Sequence, residues 1–283
     1  MLAPFLIGML LLEFIPAIAH LPLAFTSYNA LESPDFIGLD NFRELIHDRV
    51  FWIAAGNSLL FIVVAVPLRI GGAMLLSLLL LERRRGTAFY RAAIYLPTVV
   101  PDIAWALAWL WILNPLYGPL NLTLAWLGLP SPALTIGEWP PRFAIIVVLA
   151  FQLGEGFVVC LAALSDMPRD LRDQAAVDGS TGRQTFWRIT LPLLAPTLIV
   201  LLLRDVIVSL QSNFVPALII GRNGGPNYAT TYLPYYIYRE AFSYLRFGYA
   251  AAMTWMMFLL TGLVLLLLYR VARSWRMGFS DAD

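Results

Sequence analysis

The sequence predicts an all-α integral membrane protein. Three observations carry that expectation: an apolar, charge-poor composition, six apolar stretches long enough to cross a bilayer, and arginines gathered on one side of them. Of 283 residues, 60% are hydrophobic and 13% charged, with a mean hydropathy of +0.74. A soluble domain is nearer half apolar and a quarter charged. Most of this surface must therefore face lipid or other apolar helices.

A membrane-crossing helix needs about 20 predominantly apolar residues. The stretches 2–27, 52–81, 92–113, 143–164, 193–220 and 247–270 qualify, giving one six-helix transmembrane domain over 1–283. The first lacks a basic start, contains Glu13, Pro16 and Pro22, and has no convincing cleavage site before Ser27, so it reads as a retained helix rather than a signal peptide. In the third, Thr98 and Asp102 are four apart and would share one helix face, with Asp102 about 16 Å in from Arg91 at 1.5 Å per residue. In the fourth, Ala150, Leu153 and Phe157 would share a face, with Glu155 off it. In the fifth, adjacent Arg204 and Asp205 project about 100° apart, so each needs a partner elsewhere, while Leu210 and Asn213 would share a face.

Arginines near span ends mark the cytoplasmic side. Eleven lie in 82–91, 165–192 and the tail from Arg270 onward, against six in the other loops, which places both termini in the cytoplasm. The outer loops 28–51, 114–142 and 221–246 are rich in Pro, Gly, Asn, Tyr and Trp, as short structured caps are. The cytoplasmic loop 165–192 differs. Pro168 followed by Asp170, Asp173, Ala175 and Ala176 favours a short helix that Gly179 can end, with Leu171, Ala175 and Val177 as a narrow apolar stripe. A second short helix through Phe186, Trp187 and Ile189 would lead into Pro192. Such a loop either lies in the membrane interface or docks into a groove on a cytoplasmic partner.

Composition also excludes chemistries. All 19 basic residues are Arg, so neither a P-loop nor a Schiff-base lysine exists. Cys160, His20 and His47 are too few for the usual zinc site. No nucleophile elbow or paired acidic motif stands out. The expectation is no catalytic residue, no metal and no cofactor on this chain.

The run Asp173-Gln-Ala-Ala-Val-Asp178-Gly179-Ser180, followed by Ile189, Leu191, Pro192 and Pro196, closely resembles the EAA loop of ABC importer permeases, with Asp173 for the usual Glu and Ser180 for the final Ala. Phe36-Ile-Gly-Leu-Asp-Asn-Phe42, Asn57-Ser-Leu59, Leu96-Pro97, Asn114-Pro-Leu-Tyr-Gly118, Gly224-Gly-Pro226 and Phe247-Gly-Tyr-Ala-Ala-Ala252 resemble, in order, segments of its carbohydrate-uptake branch, which includes the maltose permease subunits. The resemblance implies a type I importer subunit in a prokaryotic inner membrane, paired with a second homologous permease as a heterodimer. It also implies two cytoplasmic ATPases that hold the ATP and Mg, and an extracytoplasmic sugar-binding protein. It assigns ATPase coupling to Asp173, Ala175, Ala176, Asp178 and Gly179, and sugar contact to Thr98, Asp102, Ala150, Leu153, Gly154, Phe157, Leu210 and Asn213. Asp102 and Asn213 would bond sugar hydroxyls and Phe157 would offer a ring face. The Asp102 carboxylate argues against an anionic cargo by like-charge repulsion. The rival reading is an ion-coupled secondary transporter using Asp102, Glu155, Arg204 and Asp205 as a relay.

Overall fold

A computed structural model of the chain describes residues 2–82 and 84–280, save the side chains of Arg169, Arg172, Ala176, Ser212 and residues 272–280. Arg83 and the side chains of Arg169, Arg172, Arg273 and Arg276, all counted above for orientation, and the Ala176 side chain therefore lie outside what the structure describes. The described residues are helical with no strand beyond one isolated bridge between Thr26 and Phe36.

In chain order, α1 is Ala3–Leu23, with a π turn at Leu10–Phe14. The short α2, Asp40–His47, precedes the long α3, Arg49–Leu79. Asp48 caps α3, its Oδ1 accepting from the backbone N–H of Val50 at 2.8 Å and Phe51 at 3.3 Å. Then come α4, Thr87–Val99; α5, Asp102–Ile112; α6, Pro119–Trp126; α7, Trp139–Ala150; and α8, Gly154–Ser165. The next loop holds α9, Arg169–Val177, and runs into the 38-residue α10, Gly182–Ile219. The chain closes with α11, Leu233–Tyr238, and α12, Phe247–Ser280.

Four helices, α1, α3, α10 and the Phe247–Val271 part of α12, are long and apolar enough to cross a membrane. The other two expected spans are bent pairs. Between α4 and α5 the axis turns by 103°, and between α7 and α8 by 42°. The first break has a local cause: Pro101 disfavours the helical region for the residue before it, and Val100 is extended at ψ 130°. This corrects the expected single helix over 92–113. Thr98 ends one helix and Asp102 starts another, so they do not share a face, and depth measured along a straight axis from Arg91 does not apply. The break at 151–153 likewise separates Ala150 from Leu153 and Phe157. The second short helix expected near Phe186 is instead the start of α10, with a π turn at Phe186–Thr190.

Packing centres on α3, which lies against α8 and α10. The largest core joins Phe61 and Ala65 of α3 to Ile145, Val148 and Leu149 of α7, and to Ala217 and Tyr232. A second joins Ile62 and Val66 to Val206 and Leu210. The loops 28–51 and 221–246 are tied down by the motifs seen in the sequence. Asn41 Nδ2 donates to the carbonyls of Ala24 and Thr26, both at 2.9 Å. Asn57 Nδ2 donates to Tyr228 O and Thr231 O, both at 2.9 Å, and Ser58 Oγ accepts from Leu233 N at 3.1 Å. The N-S-L segment thus holds the chain that follows the G-G-P segment, from Tyr228 to Leu233.

Candidate functional site

Three helices, α3, α8 and α10, bring the intramembrane charges together. Arg69 of α3 pairs with Asp205 of α10 at 3.1 Å and donates to Ser209 Oγ at 3.2 Å. Both charged side chains are nearly sealed, at 12% and 10% exposure. Arg204, on the next face of α10, pairs with Glu155 of α8, and this pair is half-exposed. Adjacent helical residues cannot meet each other, and each of Arg204 and Asp205 does reach a different helix. Arg69 and Arg204 are committed to Asp205 and Glu155, and no ion pair joins either of them to Asp102 among the described residues. Asp102 instead lies exposed on the first turn of α5 and accepts from Gln152 Nε2 at 3.4 Å.

The four charges, with Gln152 and Leu153, line a cavity of about 20 Å³. A water needs roughly 10–15 Å³ and a drug-sized solute roughly 300 Å³ or more. This cavity is closed to sugar in the conformation described. Its walls hold two buried polar atoms without a protein partner, Arg69 Nε and Asp205 Oδ2, which one water molecule would suit.

Of the residues assigned to sugar contact, the structure brings some together and parts others. Thr98 and Gly154 touch: a Cβ on Gly154 would lie 2.3 Å from Thr98 Oγ1 and 2.9 Å from Tyr95 Cα, so glycine here is what lets α8 lie against α4. Phe157 is buried at 1% exposure, its carbonyl accepting from Ser77 Oγ at 2.9 Å, so its ring offers no open face in this conformation. Leu210 packs between α3 and α10 in the second core rather than on the cavity. Asn213 is fully buried and neither amide atom has a partner. Ser77, Ser209 and Gln152 were not singled out as partners from sequence; Ser209, one turn after Asp205, carried the only signal.

On α9, Asp170, Asp173, Gln174, Val177 and Asp178 line an open surface groove. Val177 is 88% exposed, an apolar side chain among carboxylates. Gly179 ends the helix at φ +76°, a left-handed conformation that glycine adopts without strain, and Ser180 N donates to Ala175 O at 2.9 Å. Ala175 is 7% exposed, so its methyl is turned into its own chain rather than into the groove. Thr181 and Gln184 form a capping box that starts α10 immediately afterwards.

At the start of α3, Asp48 Oδ2 accepts from Tyr236 Oη at 2.6 Å and Tyr249 Oη at 2.7 Å. Burial pushes the Asp48 pKa up, but these two hydroxyls and the Phe51 and Val50 amides outweigh it and hold it below the usual carboxylate value. Beside it, Arg246 pairs with Glu44 at 2.5 Å and lies over the Tyr249 ring. Arg239 lies over the rings of Tyr228, Tyr236 and Tyr244.

Residues 73–277 match a protein family described as the binding-protein-dependent transport system inner membrane component. Among curated proteins, the chain is 34% identical to the probable ABC transporter permease protein YesP of Bacillus subtilis, covering 97% of this chain and 89% of that one. It is 31% identical to the sulfoquinovosyl glycerol transport system permease protein SmoG of Agrobacterium fabrum, covering 89% and 83%. Among solved structures, a bacterial ABC transporter involved in import of the acidic polysaccharide alginate superposes with a TM-score of 0.78 at 25% identity, covering 97% of this chain and 94% of that one.

Proposed function

The chain belongs to the binding-protein-dependent transport system inner membrane components, and from that premise we propose that it is the membrane conduit of an ATP-driven importer that receives a carbohydrate from an extracytoplasmic binding protein. It is a multi-pass permease subunit of an ABC importer and not itself an enzyme. The observation that carries the fuller reading is the placement of α9: a charged, solvent-facing helix inserted between two membrane helices, α8 and α10, that are laced together by the Glu155–Arg204 pair. A push on α9 reaches both flanking helices at once.

In this reading six spans cross the membrane, the two bent pairs counting as one each, with both termini cytoplasmic. Two ATPase subunits hold the ATP and Mg, and a second homologous permease completes the conduit. Asp173 and Asp178 face the ATPase, Ala175 supports the helix from beneath, Gly179 turns the chain away, and Ala176 adds to the contact. Cargo passes the helix breaks at 100–101 and 151–153, where Thr98, Asp102, Leu153 and Gly154 converge with Gln152. Phe157, Leu210 and Asn213, buried now, reach it once the helices part. The alginate transporter takes an acidic polysaccharide. Here Arg69 and Arg204 are each committed to a carboxylate, and Asp102 adds an acidic group, which favours a neutral or amino-bearing sugar.

The test is affinity purification of the tagged chain with the proteins encoded beside it, with a cysteine crosslinker at Asp173→Cys. Capture of an ATPase through position 173 is expected. Transport driven by an ion gradient in vesicles lacking any ATPase would overturn the reading in favour of a secondary transporter.

A further inference from the structure

Helix α4 is lightly held by the rest of the chain. Of its 13 residues only the first, Thr87, is buried. Its far end backs onto α8, where Thr98, Tyr95 and Ile94 crowd Gly154. Near its start one side chain reaches back over the turn to α3. Arg91 Nη2 donates to the carbonyls of Leu80 at 2.6 Å and Leu81 at 3.3 Å, and its Nε is buried without a partner among the described residues.

Those two carbonyls close α3. The last carbonyls of a helix have no partner within it, and a guanidinium placed there satisfies them while opposing the negative end of the helix dipole. Hydrogen bonds from an ionised donor are also roughly twice as strong as neutral ones. The turn beneath is closed on its own account: Thr87 Oγ1 accepts from Arg84 N at 2.8 Å and donates to Arg84 O at 2.7 Å, and Gly86 takes φ +86°. Arg91 is therefore not needed to shape the turn. It ties α4 to the end of α3.

The segment that Arg91 grips is also the one on which both roots of α9 rest. Leu78 and Leu81 pack on Leu164, Met167 and Leu194. Leu164 lies in the last turn of α8, Met167 in the link to α9, and Leu194 in α10. A displacement of α9 passes through these three side chains to 78–81, and from there through Arg91 to α4. The other end of α4 adjoins the break at Val100–Pro101.

We infer that Arg91 is a positioning residue for transport: it makes α4 move with the end of α3, so that the break at 100–101 shifts when α9 is pushed. This rests on the importer reading above. It adds a route to that reading, since the Glu155–Arg204 pair joins α8 to α10 and leaves α4 aside.

The experiment uses the whole importer in lipid nanodiscs, with nitroxide labels on Phe89→Cys and Ile103→Cys, one on each side of the break. Both positions are exposed within the chain, and the natural Cys160 is buried away from label. The distance between the labels is read without nucleotide and after trapping with ATP and vanadate. A shift on trapping is expected with Arg91 present, and Arg91→Ala should shrink it at least about threefold. Arg91→Lys, which keeps a cationic donor, should restore part of it. Arg84→Ala, which removes the exposed Arg84–Glu82 pair from the same turn, should leave it unchanged. A full shift in Arg91→Ala, an equal loss in Arg84→Ala, or no shift with Arg91 present overturns the inference while leaving the importer reading intact. Arg91→Ala that no longer assembles in size exclusion makes the tie one of folding and overturns it too. A natural complex that carries no ATPase to trap nucleotide overturns the importer reading, and the inference with it.

Discussion

Replacing Asp205 with alanine leaves the Arg69 guanidinium in a nearly closed site with Ser209 as its remaining partner. Breaking a buried ion pair by removing one member costs about 3–5 kcal/mol, because the survivor stays charged and desolvated. At about 1.4 kcal/mol per tenfold, that is a loss of roughly two to three and a half decades in the folded-to-unfolded ratio. Removing both charges in Arg69→Met with Asp205→Ala should recover most of it, since a buried pair replaced by apolar groups is often neutral or better. The half-exposed Glu155–Arg204 pair gives the contrast: Glu155→Ala should cost about 0–1 kcal/mol. The assay is unfolding of the importer in lipid nanodiscs, followed by tryptophan fluorescence, for the singles and the double. If Asp205→Ala costs less than about 1 kcal/mol, or the double variant is as weak as the single, the Arg69–Asp205 pair is not the sealed contact described here.

Three further outcomes follow from the same geometry. Gly154→Ala should destabilise by about 1–3 kcal/mol through overpacking of α8 on α4, with Thr98→Ala relieving only part of the clash because the Tyr95 backbone also stands in the way; melting temperatures of the two singles and the double read this. Asp48, whose pKa is depressed in the folded chain, contributes stability that is complete above the ordinary carboxylate value of about 4 and is lost as pH falls through its lower folded value. Replacing both Tyr236 and Tyr249 with Phe should flatten that acid limb in a pH series of unfolding midpoints. Asp173→Arg should leave the subunit folded and assembled in size-exclusion profiles but reduce ATP-dependent transport at least tenfold, because it reverses the charge at the proposed ATPase contact.

Four long apolar helices were legible because apolar runs of twenty residues leave few alternatives, and the short helix Arg169–Val177 because Pro168, the aspartates and Gly179 all point the same way. The unpaired arrangement of Arg204 and Asp205 was also readable, since 3.6 residues per turn forbids neighbours from meeting. Their partners were not, because Arg69 and Glu155 lie on helices whose rotation is set by packing. The 103° turn was within reach of local reasoning, as Pro101 constrains Val100, yet hydropathy alone runs straight through it. Phe157 and Leu210 illustrate the other limit: helical spacing places side chains on a face but does not say whether that face meets cargo or a neighbouring helix.

In the proposed importer this chain conducts sugar under the control of ATP hydrolysed elsewhere. The most direct test is uptake of labelled sugar into proteoliposomes holding both permeases and the ATPases, with the loaded binding protein outside and ATP inside. Accumulation that requires both ATP and the binding protein, and that fails with a hydrolysis-dead ATPase, is the predicted result. Accumulation that persists without ATP and collapses when an ion gradient is dissipated would contradict it.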